Sequence, residues 1–338
     1  MTAFMDQIYA KAKADPKKVV LPEGDDERSV VAAAEATQQG LARISLIGTP
    51  DKVRQIAKDK GLSLDGVELI DATNLPALKE YAAEFHDLRK HKGMLMEYAT
   101  KVVSDPLFYG AMMVRKGAVD AFVAGAVNST GNVCRASIQA VGLKGGIRTL
   151  SSFFVMILPK PEFGQDGIIF FADCGVVPNP NADQLADIAV STAESWRMLM
   201  GTEPRVAMLS FSTKGSAKHP DVEKVLAATA MAKQRDPELQ LDGELQADAA
   251  LIPSIGAKKA PRSDVAGRAN VLIFPDLDSG NVGYKLTERL AGAEALGPIL
   301  QGNKKPCCDL SRGCKASDIV NVAAINVVRI QYLQRNTP

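Results

Sequence analysis

Lys18-Val19-Val20-Leu21-Pro22-Glu23-Gly24-Asp25 is a short apolar run that stops at a turn, and residues 28–39 behind it have helical spacing. Ile44-Ser45-Leu46-Ile47-Gly48 is a second apolar run, followed by a helical stretch over residues 50–60 that halts at Gly61. The unit recurs at Ala121-Phe122-Val123-Ala124-Gly125, which leads through Asn128-Ser129-Thr130-Gly131 into a helix carrying Arg135 and reaching Ala140. Strands that are apolar throughout, rather than alternating, are covered on both faces. Their alternation with helices predicts an α/β fold built on a parallel sheet. Such folds bind ligands beyond the carboxyl ends of their strands. That singles out the loops after Leu21, Gly125 and Phe274.

Gly142-Leu143-Lys144-Gly145-Gly146 interrupts the series and suits a hinge. A second series follows, with strands near residues 153–158, 168–172, 205–210 and 270–274 and helices near 182–200, 220–234 and 280–290. The strand-like Gly297-Pro298-Ile299-Leu300 comes after it. A length of 338 residues is long for one core and predicts two domains.

Near the C-terminus, Asp309-Leu310-Ser311-Arg312-Gly313-Cys314 and Asp318 place a hydroxyl, a guanidinium and a carboxylate within about ten residues. Residues 315–329 read as a helix, with Ile319, Val322, Ala323, Ile325 and Asn326 at helical spacing. Ser311 and Arg312 then precede its start, where free N–H groups and the helix dipole favour an anion. Asp318 lies about one turn in and can face back towards them. The same residues equally suit an N-cap, a surface arginine and a first-turn dipole partner.

Composition excludes several classes. Forty basic and thirty-nine acidic residues leave a net charge of +1, so nothing calls for nucleic acid or an anionic membrane. The longest apolar stretches, such as Ile168-Ile169-Phe170-Phe171, are too short to cross a bilayer. Met1-Thr2-Ala3-Phe4-Met5-Asp6 lacks an export pattern, which makes the cytoplasm the expected location. The five cysteines, at 134, 174, 307, 308 and 314, form no Cys-x-x-Cys pair, and only three histidines (86, 91, 219) accompany them. Buried, reduced thiols and no metal site are the expectation.

The dinucleotide, Walker A and nucleophile-elbow signatures are all missing. Thr213-Lys214-Gly215-Ser216 has phosphate-loop composition at the wrong spacing. Phosphate handling would therefore rest on arginines, with Arg89 (in Leu88-Arg89-Lys90-His91-Lys92) and Arg135 as candidates, because guanidinium fits phosphate bidentately.

The segment from Asp309 to Cys314 resembles the C-terminal motif of the phosphate acetyltransferases (phosphotransacetylases). So do Leu88-Arg89-Lys90-His91-Lys92-Gly93, the run from Val206 to Ser216, Asp242-Gly243-Glu244-Leu245-Gln246, the run from Ala269 to Leu277, and Gly280-Asn281-Val282-Gly283-Tyr284-Lys285. The likeness covers essentially the whole chain and is to the stand-alone form of the family. It implies reversible acetyl transfer between acetyl phosphate and coenzyme A, with coenzyme A as a substrate and no tightly bound cofactor. It also implies two α/β/α domains with a cleft between them, similar to isocitrate and isopropylmalate dehydrogenases. The expected division is residues 1–146 plus 301–338, with 147–300 inserted and forming a homodimer. The family's catalytic residues fall on Ser311, Arg312 and Asp318, and its substrate arginines on Arg89 and Arg135. Ser129 and Thr130 either hydrogen-bond acetyl phosphate or cap the next helix. Asn281 and Tyr284 either line the cleft or, for Tyr284, pack in the core.

Cys307-Cys308, Lys315 and Ala247 depart from the residues usual in the family, and Lys315 adds charge beside the catalytic trio. Rival readings are a butyryl-type acyl preference, a non-catalytic acetyl-CoA-sensing module and a nicotinamide-linked dehydrogenase. The absence of an Asp-x-x-x-Asp metal pair and of a dinucleotide fingerprint weighs against the last.

Overall fold

The computed structural model describes residues 2–336. Backbone contacts divide the chain into two compact units, one built from the chain up to Lys144 together with Asn303 onward, the other from Gly145–Gly302. Eleven strands occur among the described residues: β1 (Lys18–Leu21), β2 (Arg43–Gly48), β3 (Glu68–Asp71), β4 (Ala121–Ala124), β5 (Ser151–Ile157), β6 (Ile168–Ala172), β7 (Arg205–Leu209), β8 (Gln240–Leu245), β9 (Val271–Ile273), β10 (Glu294–Gln301) and β11 (Cys307–Asp309). No helix among those residues is long and apolar enough to cross a membrane.

The first unit holds a sheet in the order β11-β4-β1-β2-β3, parallel throughout. Its strand interiors, including Val19, Val20, Leu46, Phe122 and Cys308, are almost wholly buried. Such continuous apolar runs need helices on both faces. Helix Glu27–Gln38 buries a small-residue face of Ala32, Ala33, Ala34 and Ala36, which lets the last helix, Ala316–Asn336, pack closely against it. Asp26 caps the start of the former helix by accepting from the Arg28 N–H. In chain order the strands run outward from β1 to β3 and then return past β1 to β4. The switch point therefore lies between β1 and β4, where an open α/β sheet forms its ligand crevice.

The sheet of the second unit is mixed rather than parallel throughout. Its order is β10-β5-β6-β9-β7-β8, and the β10–β5 and β5–β6 pairs are antiparallel. The reason is local: β5 and β6 are joined by a short hairpin loop rather than a crossover helix, and Gly164 and Gly167 take left-handed φ of 67° and 82° there. Phe153 stacks on Phe170 with centroids 5.0 Å apart, and Phe170 meets the edge of the buried Trp196 at 4.9 Å. Helix Ala182–Met200 covers this cluster, started by a capping box between Asn181 and Gln184.

Candidate active site

The loops that follow β4 and β11 are neighbours because Asp309 registers with Ala124 across the parallel pair. Gly125–Asn128 leaves β4 and ends at Ser129, while Leu310, Ser311 and Arg312 leave β11. Ser129 caps the short helix Thr130–Ala136 by accepting from the Asn132 N–H at 3.3 Å. The capping alternative for Ser129 is thus realised, and the side chains of Ser129, Thr130 and Arg135 are exposed. Ser311 and Arg312 are exposed as well, and the Ser311 hydroxyl accepts from the Gly313 N–H at 3.2 Å. Asp318 is half-buried, and its Oδ2 accepts from the Lys315 N–H at 2.8 Å, the back-bond of a capping box. That contact fixes the carboxylate at the helix start, two turns of sequence from Ser311 and on the same connection.

Arg28 ties the two loops together. Its Nε and Nη2 form a bidentate pair with the two Asp26 oxygens, each at 2.9 Å. The remaining donors reach the carbonyls of Ala126 (2.7 Å), Arg312 (2.7 Å) and Cys314 (3.1 Å). The guanidinium beside it holds the Asp26 carboxyl below the usual range. Cys314 is buried, and desolvation raises its thiol despite the nearby Arg28, so it remains protonated at neutral pH.

Two carboxyls bracket the β4 loop. Glu23, just after β1, is buried and accepts from the backbone N–H groups of Gly125, Ala126, Val127 and Asn128 and from Asn128 Nδ2, at 2.8–3.2 Å. Asp309, at the end of β11, is 1 % exposed. Burial pushes it up to about 6, the Thr130 hydroxyl and the Leu310 N–H favour its ionised form, and Glu23 opposes that form. Gly125 is required between the two. Its φ is 108°, and a Cβ there would collide with Asp309 Oδ1 and the Leu310 backbone.

Arg89 ends helix Leu78–Arg89, and its Nε is buried without a hydrogen-bond partner. Arg115 links this helix to the segment after Arg135, with Nε on Glu84 Oε1 at 2.7 Å and Nη1 on the Ala140 carbonyl at 3.1 Å. Lys116 also pairs with Glu84, and together these cations lower that carboxyl. No contact in the structure brings Arg89 itself onto Ser311 or Arg312. Asn281 and Tyr284 belong to the second unit, on helix Leu277–Ala291. The Asn281 amide donates to the Cys174 carbonyl at 3.1 Å, and Tyr284 stacks on Phe154 with centroids 4.1 Å apart.

Sequence reasoning passed over Glu23 and Arg28. Each acts on a loop about a hundred residues or more away, a distance that spacing cannot register. The only signal is chemical: a carboxylate stands on the loop directly after β1, the strand that borders the switch point, and a guanidinium in the first turn of the helix that follows.

Comparison with known proteins places the chain in a family. A family model described as phosphate acetyl/butaryl transferase matches residues 3–327. The phosphate acetyltransferase of Acetivibrio thermocellus is 51 % identical over 332 residues, covering 98 % of this chain and 99 % of that protein. The phosphate acetyltransferase of Clostridium acetobutylicum is 48 % identical over 328 residues, covering 97 % and 98 %. The crystal structure of a phosphotransacetylase from Streptococcus pyogenes superposes with a TM-score of 0.92 at 40 % identity, covering 98 % of this chain and 100 % of that one. With parallel strands, loops carrying a serine and arginines, and likeness along nearly its whole length, the chain belongs to the phosphate acetyl/butaryl transferase family.

Proposed function

We propose that this chain binds coenzyme A and acetyl phosphate together and that the coenzyme A thiolate attacks the acetyl group directly. The reaction it catalyses is reversible: acetyl-CoA and phosphate in one direction, acetyl phosphate and coenzyme A in the other. The observation that carries the site is the side-by-side placement of the Ser311–Arg312 loop and the Ser129–Thr130 loop, set by the Asp309–Ala124 register and tied by Arg28.

A thiol of pKa roughly 8.5 is only a few per cent ionised at pH 7. Asp318, held by the Lys315 N–H, is the base proposed to take its proton. The new S–C bond generates an oxyanion on the acetyl carbonyl, which Ser311 and Arg312 stabilise. The C–O bond to phosphate then breaks, and Arg312, Arg89 and Arg135 balance the charge of the departing phosphate. Ser129, whose oxygen caps the helix while its hydroxyl proton stays available, and Thr130 donate to the acyl phosphate. Asn281 is proposed to contribute to substrate binding, and Tyr284 to pack in its own unit through its stack on Phe154. The residues need neither a metal nor a tightly bound cofactor for these steps.

The two compact units are proposed as domains, the second inserted into the first. The exposed apolar row of Val282, Leu286 and Leu290, spaced one turn apart on helix Leu277–Ala291, supports a homodimer formed through the second. A charge-balanced chain with no spanning helix among its described residues suits a cytoplasmic enzyme without nucleic-acid or membrane partners.

Mass spectrometry after mixing with acetyl phosphate alone tests direct transfer. The expected result is unmodified protein that forms acetyl-CoA as soon as coenzyme A is added. A protein-bound acetyl group that coenzyme A then removes would replace the ternary complex with an acyl-enzyme.

A further inference from the structure

Four consecutive backbone N–H groups, from Gly125 to Asn128, converge on the carboxylate of Glu23. Successive N–H groups pointing into one concavity form the nest that proteins commonly use to hold a phosphate. Here the nest is filled by the protein's own side chain, so the loop does not wait for an anion to take its shape. Oε1 accepts from Gly125 (3.1 Å), Val127 (3.2 Å), Asn128 (2.8 Å) and Asn128 Nδ2 (3.0 Å), and Oε2 accepts from Gly125 (3.0 Å) and Ala126 (2.8 Å). The opposite side of the loop is closed by Asp309 and Leu310, against which only a glycine fits at position 125. The next residue after the nest is Ser129, the cap of the helix that presents Thr130 and Arg135.

We propose that Glu23 is a positioning residue for acyl transfer, whose carboxylate presets the Gly125–Asn128 loop so that Ser129, Thr130 and Arg135 meet the acyl phosphate already ordered. The role rests on the reading above, in which those three residues bind acyl phosphate. Glu23 touches no reacting atom. It acts by removing the ordering cost that a free loop would add to substrate binding. Its neighbours explain why a carboxylate is needed: an uncharged amide would turn an NH2 group towards N–H donors and leave part of the nest without an acceptor.

The test is the steady-state kinetics of Glu23→Gln and Glu23→Asp beside the parent enzyme and Arg312→Ala, with folding checked by circular dichroism. The KM for acetyl phosphate is expected to rise on the order of tenfold or more in Glu23→Gln, while the KM for coenzyme A stays within about twofold. Glu23→Asp, which keeps the charge but is shorter, is expected to recover part of the loss. An equal rise in both KM values, or a fall in kcat with neither KM changed, would overturn the positioning role and leave the reaction assignment intact. A folded parent enzyme that makes no acetyl-CoA would instead remove the reading on which the role depends. Should Glu23→Gln fail to fold, hydrogen exchange in the parent enzyme decides. Slow exchange of the peptide covering residues 125–128 in the absence of substrate supports a preset loop, and rapid exchange contradicts it.

Discussion

Glu23 in the first unit and Asp173 in the second stand at the ends of neighbouring-strand positions and perform the same local task. Asp173 follows β6 and accepts from the N–H groups of Gly175, Val176 and Val177, and from the N–H and hydroxyl of Ser152 on β5. Glu23 follows β1 and gathers the loop after β4. Both are buried. What differs is the segment each one fixes. The Asp173 loop runs on to the capped helix Ala182–Met200, most of whose side chains are buried in the core. The Glu23 loop runs on to exposed Ser129, Thr130 and Arg135, beside exposed Ser311 and Arg312. A buried carboxylate at a strand end is therefore a structural device common to both units, and the polar side chains it leaves facing solvent separate a site from a brace. Sheet topology adds to the contrast. The all-parallel sheet has a switch point between β1 and β4, whereas the second sheet devotes three strands to an antiparallel edge.

Substitutions that separate turnover from stability can break this comparison. The largest expected effect is Arg312→Ala, which should lower kcat by on the order of a hundredfold to a thousandfold, about 3–4 kcal/mol for one charge-stabilising donor. Its unfolding midpoint should be unchanged, because Arg312 is exposed and the contact from Arg28 goes to its backbone carbonyl. Asp318→Asn should lower kcat less, since an amide oxygen can keep the Lys315 N–H contact while the charge is lost. Finding Asp318→Asn the slower of the two would reverse the roles of charge stabilisation and base catalysis.

Asp309→Asn sharpens the comparison through pH. The Asp309 carboxyl is raised to about 6 by burial, so the folded state holds a proton that the unfolded chain releases near its ordinary value of about 3.9. Stability linked to that proton is present in full below about 4 and is lost as pH rises through about 6. Above that pH the buried charge costs up to about 3 kcal/mol. The Asn variant lacks the charge at either pH. Relative to the parent it should gain that much stability between pH 4 and pH 8, as measured by denaturant unfolding. A pH-independent difference would mean that Asp309 does not titrate with a raised value.

In the second unit the direction reverses. Tyr284→Ala should cost about 2 kcal/mol of stability through the lost stack on Phe154, as a half-buried aromatic. Tyr284→Phe keeps the ring and should leave kcat and both KM values within about twofold. A large rise in KM for the phenylalanine variant would give the hydroxyl a substrate contact and blur the contrast between units. The smallest effect on the single chain is expected for Leu286→Glu, at an exposed position. Its fold should persist while sedimentation shows a lower mass than the parent's, as the proposed dimer requires. Unchanged mass would move the proposed dimer surface elsewhere.

Much of the architecture was legible because short apolar runs such as Val19–Leu21 and Ala121–Val123, each ending in turn residues, suit covered strands. The helix over Ala182–Met200 and the strand Ile168–Ala172 were readable from their patterning. Shorter or more polar elements were not: β3 carries Glu68 and Asp71, and β11 is only Cys307–Asp309. Helices Leu78–Arg89, Met96–Val103 and Pro106–Lys116 follow one another too closely for a βα rhythm to register. Antiparallel pairing in the second sheet escaped as well, since an apolar strand looks the same whichever way its neighbour runs. For the site, the Ser311–Arg312 motif and the exposed Ser129–Thr130 step could be named from sequence. The parts that Glu23, Arg28 and Asp309 play in holding them could not, because their partners are fixed by the β11-β4-β1 order and not by proximity along the chain.

The most direct test follows thioester absorbance after mixing the purified chain with acetyl phosphate and coenzyme A, for the parent and for Arg312→Ala. The expected result is acetyl-CoA formation by the parent and its near-complete loss in the folded variant. Turnover that survives Arg312→Ala undiminished would place the chemistry away from the parallel-sheet edge of the first unit.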